Sequence, residues 1–512
     1  MRIFKFRRVL GFLLVGAVCT GLVLSIVALM LYEDPLTVAS RRVDTISMDI
    51  VLCENDRTLL VNQTVYFRNR TDNPKNEIKF HIWANAFREG AKFAPVSEQE
   101  MSLAFPNGRT YGYIDVSRTL ANGTETEFEI SGDDKNVLIV PLGTPLPPNS
   151  RIAIDIDYTV QLANVAHRLG WTERVVNLGN FYPVPVIKQD GNWMTNVYSY
   201  KGDPFFNALH NFNVTITKPR DMILASSGTV QRERASGSTR STTVQSLAIR
   251  DWAAALSREF QVRTSVVRRV AVNYFFLDDT NPAQSLRTAV RSLQTFSRLF
   301  VQYPYRQLTV VQTDFLHGGM EFGEIVFISL AVTAREEIDR VIIHEVAHQW
   351  WYGIVGNDQY RFAWIDEGLA EFSTLLFFDE NPDLRPSSNN ALHDNKIIWR
   401  ADYVNKFRTS FNAFASGFRD MGETLDINMN RPLSAFTTAG EYVYLAYVRG
   451  MLLFSDLEMI IGRNAMRQSL RRLAHEFKFS EITSPSQLIN SFEASSGVRL
   501  GVFFDSFTNG IR

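Results

Sequence analysis

Two histidines four residues apart, His344 and His348, bracket Glu345 in the run HEVAH, and Glu367 follows with eighteen residues between it and His348. Four residues are one helical turn, so both imidazoles can reach one metal ion from one face while Glu345 stands beside it. Glu367, in a segment of helical pattern that runs to Phe378, would supply the third ligand. Two nitrogens and one carboxylate leave the fourth tetrahedral position open for water, the arrangement of a catalytic rather than a structural zinc. The implied chemistry is hydrolysis at one Zn2+ per chain. The ion lowers the pKa of its water towards ~7 and polarises a carbonyl. Glu345 is then the general base that takes the water proton and returns it to the departing amine. The plain alternative is a core helix with an apolar stripe of Val341, Ile342, Val346 and Trp350. It leaves Glu367 without a reason.

HEVAHQWWYG followed by WIDEGLAEF resembles the aminopeptidase N family of gluzincin metallopeptidases. Gly318-Gly319-Met320-Glu321-Phe322 is similar to the family's G-x-M-E-N segment, and Tyr447-Val448-Arg449-Gly450 to its Y-x-K-G segment. The resemblance implies that Tyr447 stabilises the oxyanion, with Tyr442 as the rival hydroxyl. It also implies that Glu321 pairs with the substrate's free ammonium, while Gly318, Gly319 and Met320 form an edge against which a peptide lies. Phe322 stands where the family has asparagine, Asp366 where asparagine precedes the third ligand, and Arg449 where lysine is usual. No counterpart of the family's second amine-gripping residue is visible in the amino-terminal half. Glu371, one turn after Glu367, is placed to accept a hydrogen bond from a ligating imidazole. His317 reads as a loop residue, and His81, His167, His210, His393 and His475 lack ligand spacing.

Such a site needs a helix for the histidines, a second helix for Glu367 and a strand for Glu321. The expected fold class is α+β: an N-terminal transmembrane helix, an all-β N-terminal domain and, as the resemblance implies, a thermolysin-like mixed α/β catalytic domain. Residues 1–8 read as a cytoplasmic basic flank and 9–32 as a transmembrane signal anchor, because Val9 to Tyr32 lacks any charge. Its 24 residues would span about 36 Å against a hydrocarbon core of about 30 Å. Arg2, Lys5, Arg7 and Arg8 would stay inside, placing the catalytic domain outside the cytoplasm, and an external protein without disulfides fits a bacterial membrane. Cleavage after Ala39 as a signal peptide is the competing reading. Residues 42–263 show short alternating stretches broken by turns, the pattern of a β domain. From 264 to 512 a strand at 270–277 leads to a helical pattern at 282–303, strands at 308–312 and 325–329, the histidine helix from about Arg335, and helical patterns at 444–461, 465–477 and 485–495. About 65 residues follow Tyr447, too few for the large helical domain that roofs the cavity in many family members, so a more open cleft is expected.

A formal net charge of −1 gives no attraction to nucleic acid, and 45% hydrophobic residues exclude a disordered chain. Two cysteines, Cys19 and Cys53, make no disulfide framework. The expected function is a zinc-dependent aminopeptidase acting on peptide amino termini, with peptides and, through the anchor, the lipid bilayer as partners. A zinc endopeptidase and a non-catalytic membrane-anchored scaffold of the same fold are the alternatives.

Overall fold

The computed structural model describes residues 33–189, 191–386 and 396–509. Alternation decides the first half of the chain. Asp44–Cys53 turns Ile46, Met48, Ile50 and Leu52 inward, and Arg151–Gln161 does the same with Ile152, Ile154, Ile156, Tyr158 and Val160. A period of two buries one face of a strand and leaves the other to water. These strands join one eight-stranded sheet in the order Thr229–Ser236, Thr239–Ile249, His210–Pro219, Asp44–Cys53, Thr58–Arg68, Arg151–Gln161, Tyr113–Ala121, Thr124–Thr126. Neighbours are antiparallel except His210–Pro219 and Asp44–Cys53, which run parallel with Asp44 opposite His210. The polar stretch at 232–246 is the hairpin at one edge of this sheet. Two four-stranded sheets, around Lys75–His81 and around Val176–Gly179, share its core.

The second half is mixed. Gln261–Val267, Val270–Phe276, Gln307–Thr313, Ile325–Ser329 and Gly319–Phe322 form a five-stranded sheet in that order. Its three inner strands are parallel, and Gly319–Phe322 runs antiparallel along the edge. Parallel neighbours need a long crossover, and the helix Pro282–Leu299 supplies one, started by Asn281 capping Gln284 N and by proline at its first position. The helix Arg335–Ala347 packs against the edge strand and its neighbour. The helix Trp364–Glu380 is buried from Trp364 to Asp379, as expected for a segment apolar on all sides. Phe372, Leu375 and Leu376, 0–1% exposed, each contribute about 1.5–3 kcal/mol by leaving water. This helix crosses the helix Gly450–Ile461 where glycine meets glycine: a methyl on Gly368 would stand 2.9 Å from Gly450 Cα. That close approach brings Glu367 beside Tyr447.

Among the described residues no helix is long and apolar enough to cross a membrane. The anchor expected at 9–32 lies outside the described residues. The longest described helix, Lys396–Asp420, carries Arg400, Asp402, Lys406 and Arg408 along its length, and Trp364–Glu380 is spent on the core of its own domain. The membrane-anchored localisation, the bilayer as partner and the placement outside the cytoplasm are therefore corrected: no described element upholds them.

The two halves are joined at the tip of the edge hairpin. Gly323 donates to Asp251 Oδ1 (2.9 Å) and accepts from Ser227 Oγ (2.6 Å), both from the β domain. Glu324, at φ 64°, is 3% exposed and turned towards Ser246 and the backbone of Gly228, with Oε2 unpartnered. Burial pushes its carboxyl up to about 8. A carboxyl raised from 4.5 in the unfolded chain stabilises fully below that value and loses its contribution as pH climbs through 8. The melting temperature of the native protein is thus expected to fall between pH 6 and pH 9 more steeply than that of Glu324→Gln, and equal slopes in scanning calorimetry would exclude this origin.

Candidate metal centre and active site

His344 lies in the last turn of Arg335–Ala347 and His348 caps it. The two Nε2 atoms are 3.1 Å apart, and each is 3.3 Å from Glu367 Oε2. All three side chains are buried. His348 Nδ1 is held by Trp351 O at 2.9 Å, and His344 Nδ1 has Glu371 Oε1 at 3.3 Å, a charge contact rather than a formed hydrogen bond. With each Nδ1 proton directed outward, both Nε2 lone pairs face the same point as Glu367 Oε2, which has no hydrogen-bond partner. Two imidazole nitrogens and a buried, unpartnered carboxylate oxygen converging on one point are a donor set that fits Zn2+.

Electrostatics point the same way. Burial would lower both histidines, but Glu371 and Glu367 outweigh it and push His344 up to about 9, while Glu321 and Glu367 hold His348 well above its usual range. Burial would likewise raise Glu367, but the two imidazoles hold it at about 2. Glu345 is pushed up to about 7 and Asp366 to about 7 by burial, and Glu321 well above the usual carboxylate range for the same reason. Five buried carboxylates surround two imidazoles. The pocket favours added positive charge.

The edge strand places the remaining residues. Its period of two sets Gly319 and Glu321 on one face and Met320 on the other. Met320 is 2% exposed and packs in the core, opposite Phe327. Gly319 lies against the Glu345 carboxylate so closely that a Cβ would come within 2.6 Å of Glu345 Cγ. Gly318 accepts from Ser329 N at 3.0 Å. Glu345 Oε2 has no partner. Tyr447 donates to Glu367 Oε1 at 2.5 Å, and its ring stacks on His344 at 5.8 Å. It sits in Tyr444–Arg449, a stretch of wider π-type helix, which carries Tyr447 edge-on to Tyr442 at 5.9 Å despite the five-residue spacing. Tyr442 instead abuts Gly202 of the β domain. Arg449 donates twice to Phe507 O and thereby ties the last described helix to this turn. His317 is a loop residue beside Phe315 and His167, in no ligand group; His81, His167 and His210 are buried in the β domain, His475 lies in Arg463–Glu476, and His393 lies outside the described residues.

Several residues of the site carried no signal in the chain. Gln349 donates to Phe322 O (2.9 Å) and accepts from Glu324 N (3.0 Å), clamping the histidine helix to the edge hairpin. Because the clamp uses backbone groups, phenylalanine at 322 leaves it intact. Gln359 donates to both Glu321 Oε1 (2.9 Å) and Asp366 Oδ2 (2.7 Å), holding two carboxylates with one amide. Asp203, paired with Arg168 in a buried ion pair, enters the cleft from the β domain and its charge helps to raise Glu321. Only Gln349, next to the second histidine, had a motif to betray it.

The donor set is of the two-histidine, one-glutamate kind that suits a catalytic zinc. Residues 284–507 match the Peptidase family M1 domain. It is similar to Aminopeptidase M1-A of Oryza sativa subsp. japonica (23% identical, covering 44% of this chain and 25% of that one) and to Aminopeptidase B of Homo sapiens (25%, covering 37% and 28%). The chain thus spans little more than a quarter of the length of those relatives. In fold it is similar to the M1 zinc metallopeptidase from Deinococcus radiodurans, with TM-score 0.64 at 15% identity over 91% of this chain and 93% of that one.

Proposed function

We propose that the protein is a zinc-dependent aminopeptidase that removes residues from peptide amino termini. The observation that carries this reading is the position of Glu321: a buried carboxylate on the edge strand of a sheet, in reach of His348 and backed by Asp203. An ammonium held there sets the first peptide bond over the metal donors and leaves little room for a preceding residue. The loop at 199–203 lines the same cleft, where Gly202 meets Tyr442 and Lys201 Nζ donates to Phe436 O. The relatives named above are aminopeptidases, in keeping with this assignment.

His344, His348 and Glu367 would hold zinc, which when bound would supply Lewis acidity to the carbonyl and acidity to water. The protein does the rest. Glu345, with a free oxygen and a carboxyl poised near neutrality by burial, takes a water proton at Oε2 and delivers it to the leaving amine. Tyr447 turns its hydroxyl from Glu367 Oε1 towards the developing oxyanion. Gln359 and Asp366 hold Glu321 in place, and the bare backbone at Gly319 lets the peptide lie along the edge strand.

The test is a pair of peptides identical but for amino-terminal acetylation. The native protein is expected to cleave only the free form, and Glu321→Gln to raise KM for it about 10–100-fold, the worth of one charged hydrogen bond. Equal cleavage of the acetylated peptide would make the protein an endopeptidase, and a zinc-loaded protein inert to both would make it a scaffold.

A further inference from the structure

Arg340 stands one helical turn before His344 on the helix Arg335–Ala347, and Glu371 one turn after Glu367 on the helix Trp364–Glu380. Residues four apart share a helix face, so the two helices present two rungs to each other. The first joins His344 to Glu367, with 3.3 Å between Nε2 and Oε2; the second joins Arg340 to Glu371, with 3.1 Å between Nη1 and Oε1. One atom links the rungs. Glu371 Oε1, which accepts from Arg340, also lies 3.3 Å from His344 Nδ1, the ring nitrogen not turned to the other donors.

Glu371 is 5% exposed, and among the described residues Arg340 Nη1 is the one group that donates a hydrogen bond to it, Oε2 having no partner. The arginine thus decides where Oε1 sits beside the imidazole. Arg340 is itself fixed from its other edge, where Nε donates to both Glu337 oxygens at 3.0 Å and Nη2 to Oε1 at 2.7 Å. A guanidinium is a rigid planar fork, so holding one edge aims the other. A zinc-binding imidazole takes its orientation, and part of its strength as a ligand, from the partner of its second nitrogen. For His348 that partner is Trp351 O, a backbone carbonyl fixed by the fold. For His344 it is a side-chain carboxylate, which needs a holder of its own. We propose that Arg340 is a positioning residue for the metal centre: through Glu371 it fixes the His344 ring with Nε2 towards Glu367 and His348, and so sets the affinity for zinc. This role rests on the metal centre described above and not on the choice between aminopeptidase and endopeptidase.

The test is a double-mutant cycle read as the zinc dissociation constant, measured by competition with a chelating dye at a temperature where circular dichroism shows each variant folded. Arg340→Met and Glu371→Leu are each expected to weaken zinc about 10–100-fold, the usual effect of losing the partner behind a zinc imidazole. The double variant should bind zinc no more weakly than Glu371→Leu alone, because Arg340 then has nothing to act through. A merely structural clamp would lower the melting temperature of the metal-free protein and leave zinc affinity native; that result for Arg340→Met would overturn the role, and so would losses that add in the double variant. If Arg340→Met does not fold, Arg340→Lys, a point charge without the fork, takes its place in the cycle with a loss in the same direction expected. A native protein that takes up no zinc would overturn the centre and this role together, whereas equally tight zinc in native protein and Arg340→Met would reject Arg340 alone.

Discussion

Glu345→Gln is expected to lower kcat about 10²–10⁴-fold, the usual weight of a positioned general base, with zinc content and melting temperature kept. Glutamine has the same shape and cannot take a proton. Nothing structural hangs on the charge, because Glu345 Oε2 has no hydrogen-bond partner and burial already pushes the carboxyl up to about 7. Nor is Glu345 among the converging donors, which are His344, His348 and Glu367. Metal analysis by plasma emission and a melting curve separate this outcome from misfolding. A variant that keeps more than a tenth of native kcat would leave the base elsewhere.

Removal of the metal is expected to abolish activity altogether, with recovery on addition of one equivalent of Zn2+ per chain. Stability should fall too. A ligand present at a thousand times its dissociation constant stabilises the folded state by about 4.1 kcal/mol, and its loss here leaves Glu321, Glu345, Asp366, Glu367 and Glu371 crowded around two imidazoles. A chelated protein should melt several degrees lower, and His348→Ala should behave as the chelated form does, without rescue by zinc. Unchanged activity after dialysis against a strong chelator, with metal analysis reading zero, would defeat the assignment of the centre.

What was visible in the chain was what has a period or a fixed spacing. The histidine pair is local, so its geometry follows from one helical turn. Glu367 sits in a second helix whose apolar run marks it, and the strands on either side of the Gly-Gly-Met-Glu segment are short β-branched runs bounded by turns. The rest depends on contacts between distant segments. Asp203 reaches the cleft through its pairing with Arg168, 35 residues earlier, both outside any periodic element. Gln359 acts by bridging two carboxylates from two different elements, and nothing in its own neighbourhood announces that role. The helix Lys396–Asp420 was not anticipated because Arg400, Asp402, Lys406 and Arg408 interrupt its apolar period, their charges being used for ion pairs and the cleft instead of for one clean solvent face. The expected anchor at 9–32 shows the opposite hazard: composition alone supported a membrane protein, and no described helix does.

The hairpin tip at Gly323 and Glu324 has a further consequence for anyone hoping to treat the catalytic half as a portable cassette. The loop that aims Glu321 is moored on one flank by the histidine helix, through Gln349, and on the other by Ser227 and Asp251. Excision between the two halves, ahead of Gln261, would cut the second mooring and leave a buried carboxylate, an open N–H and an open carbonyl facing solvent. The proposed hold on a peptide's amino terminus would suffer directly, whereas the metal donors draw on the catalytic half alone.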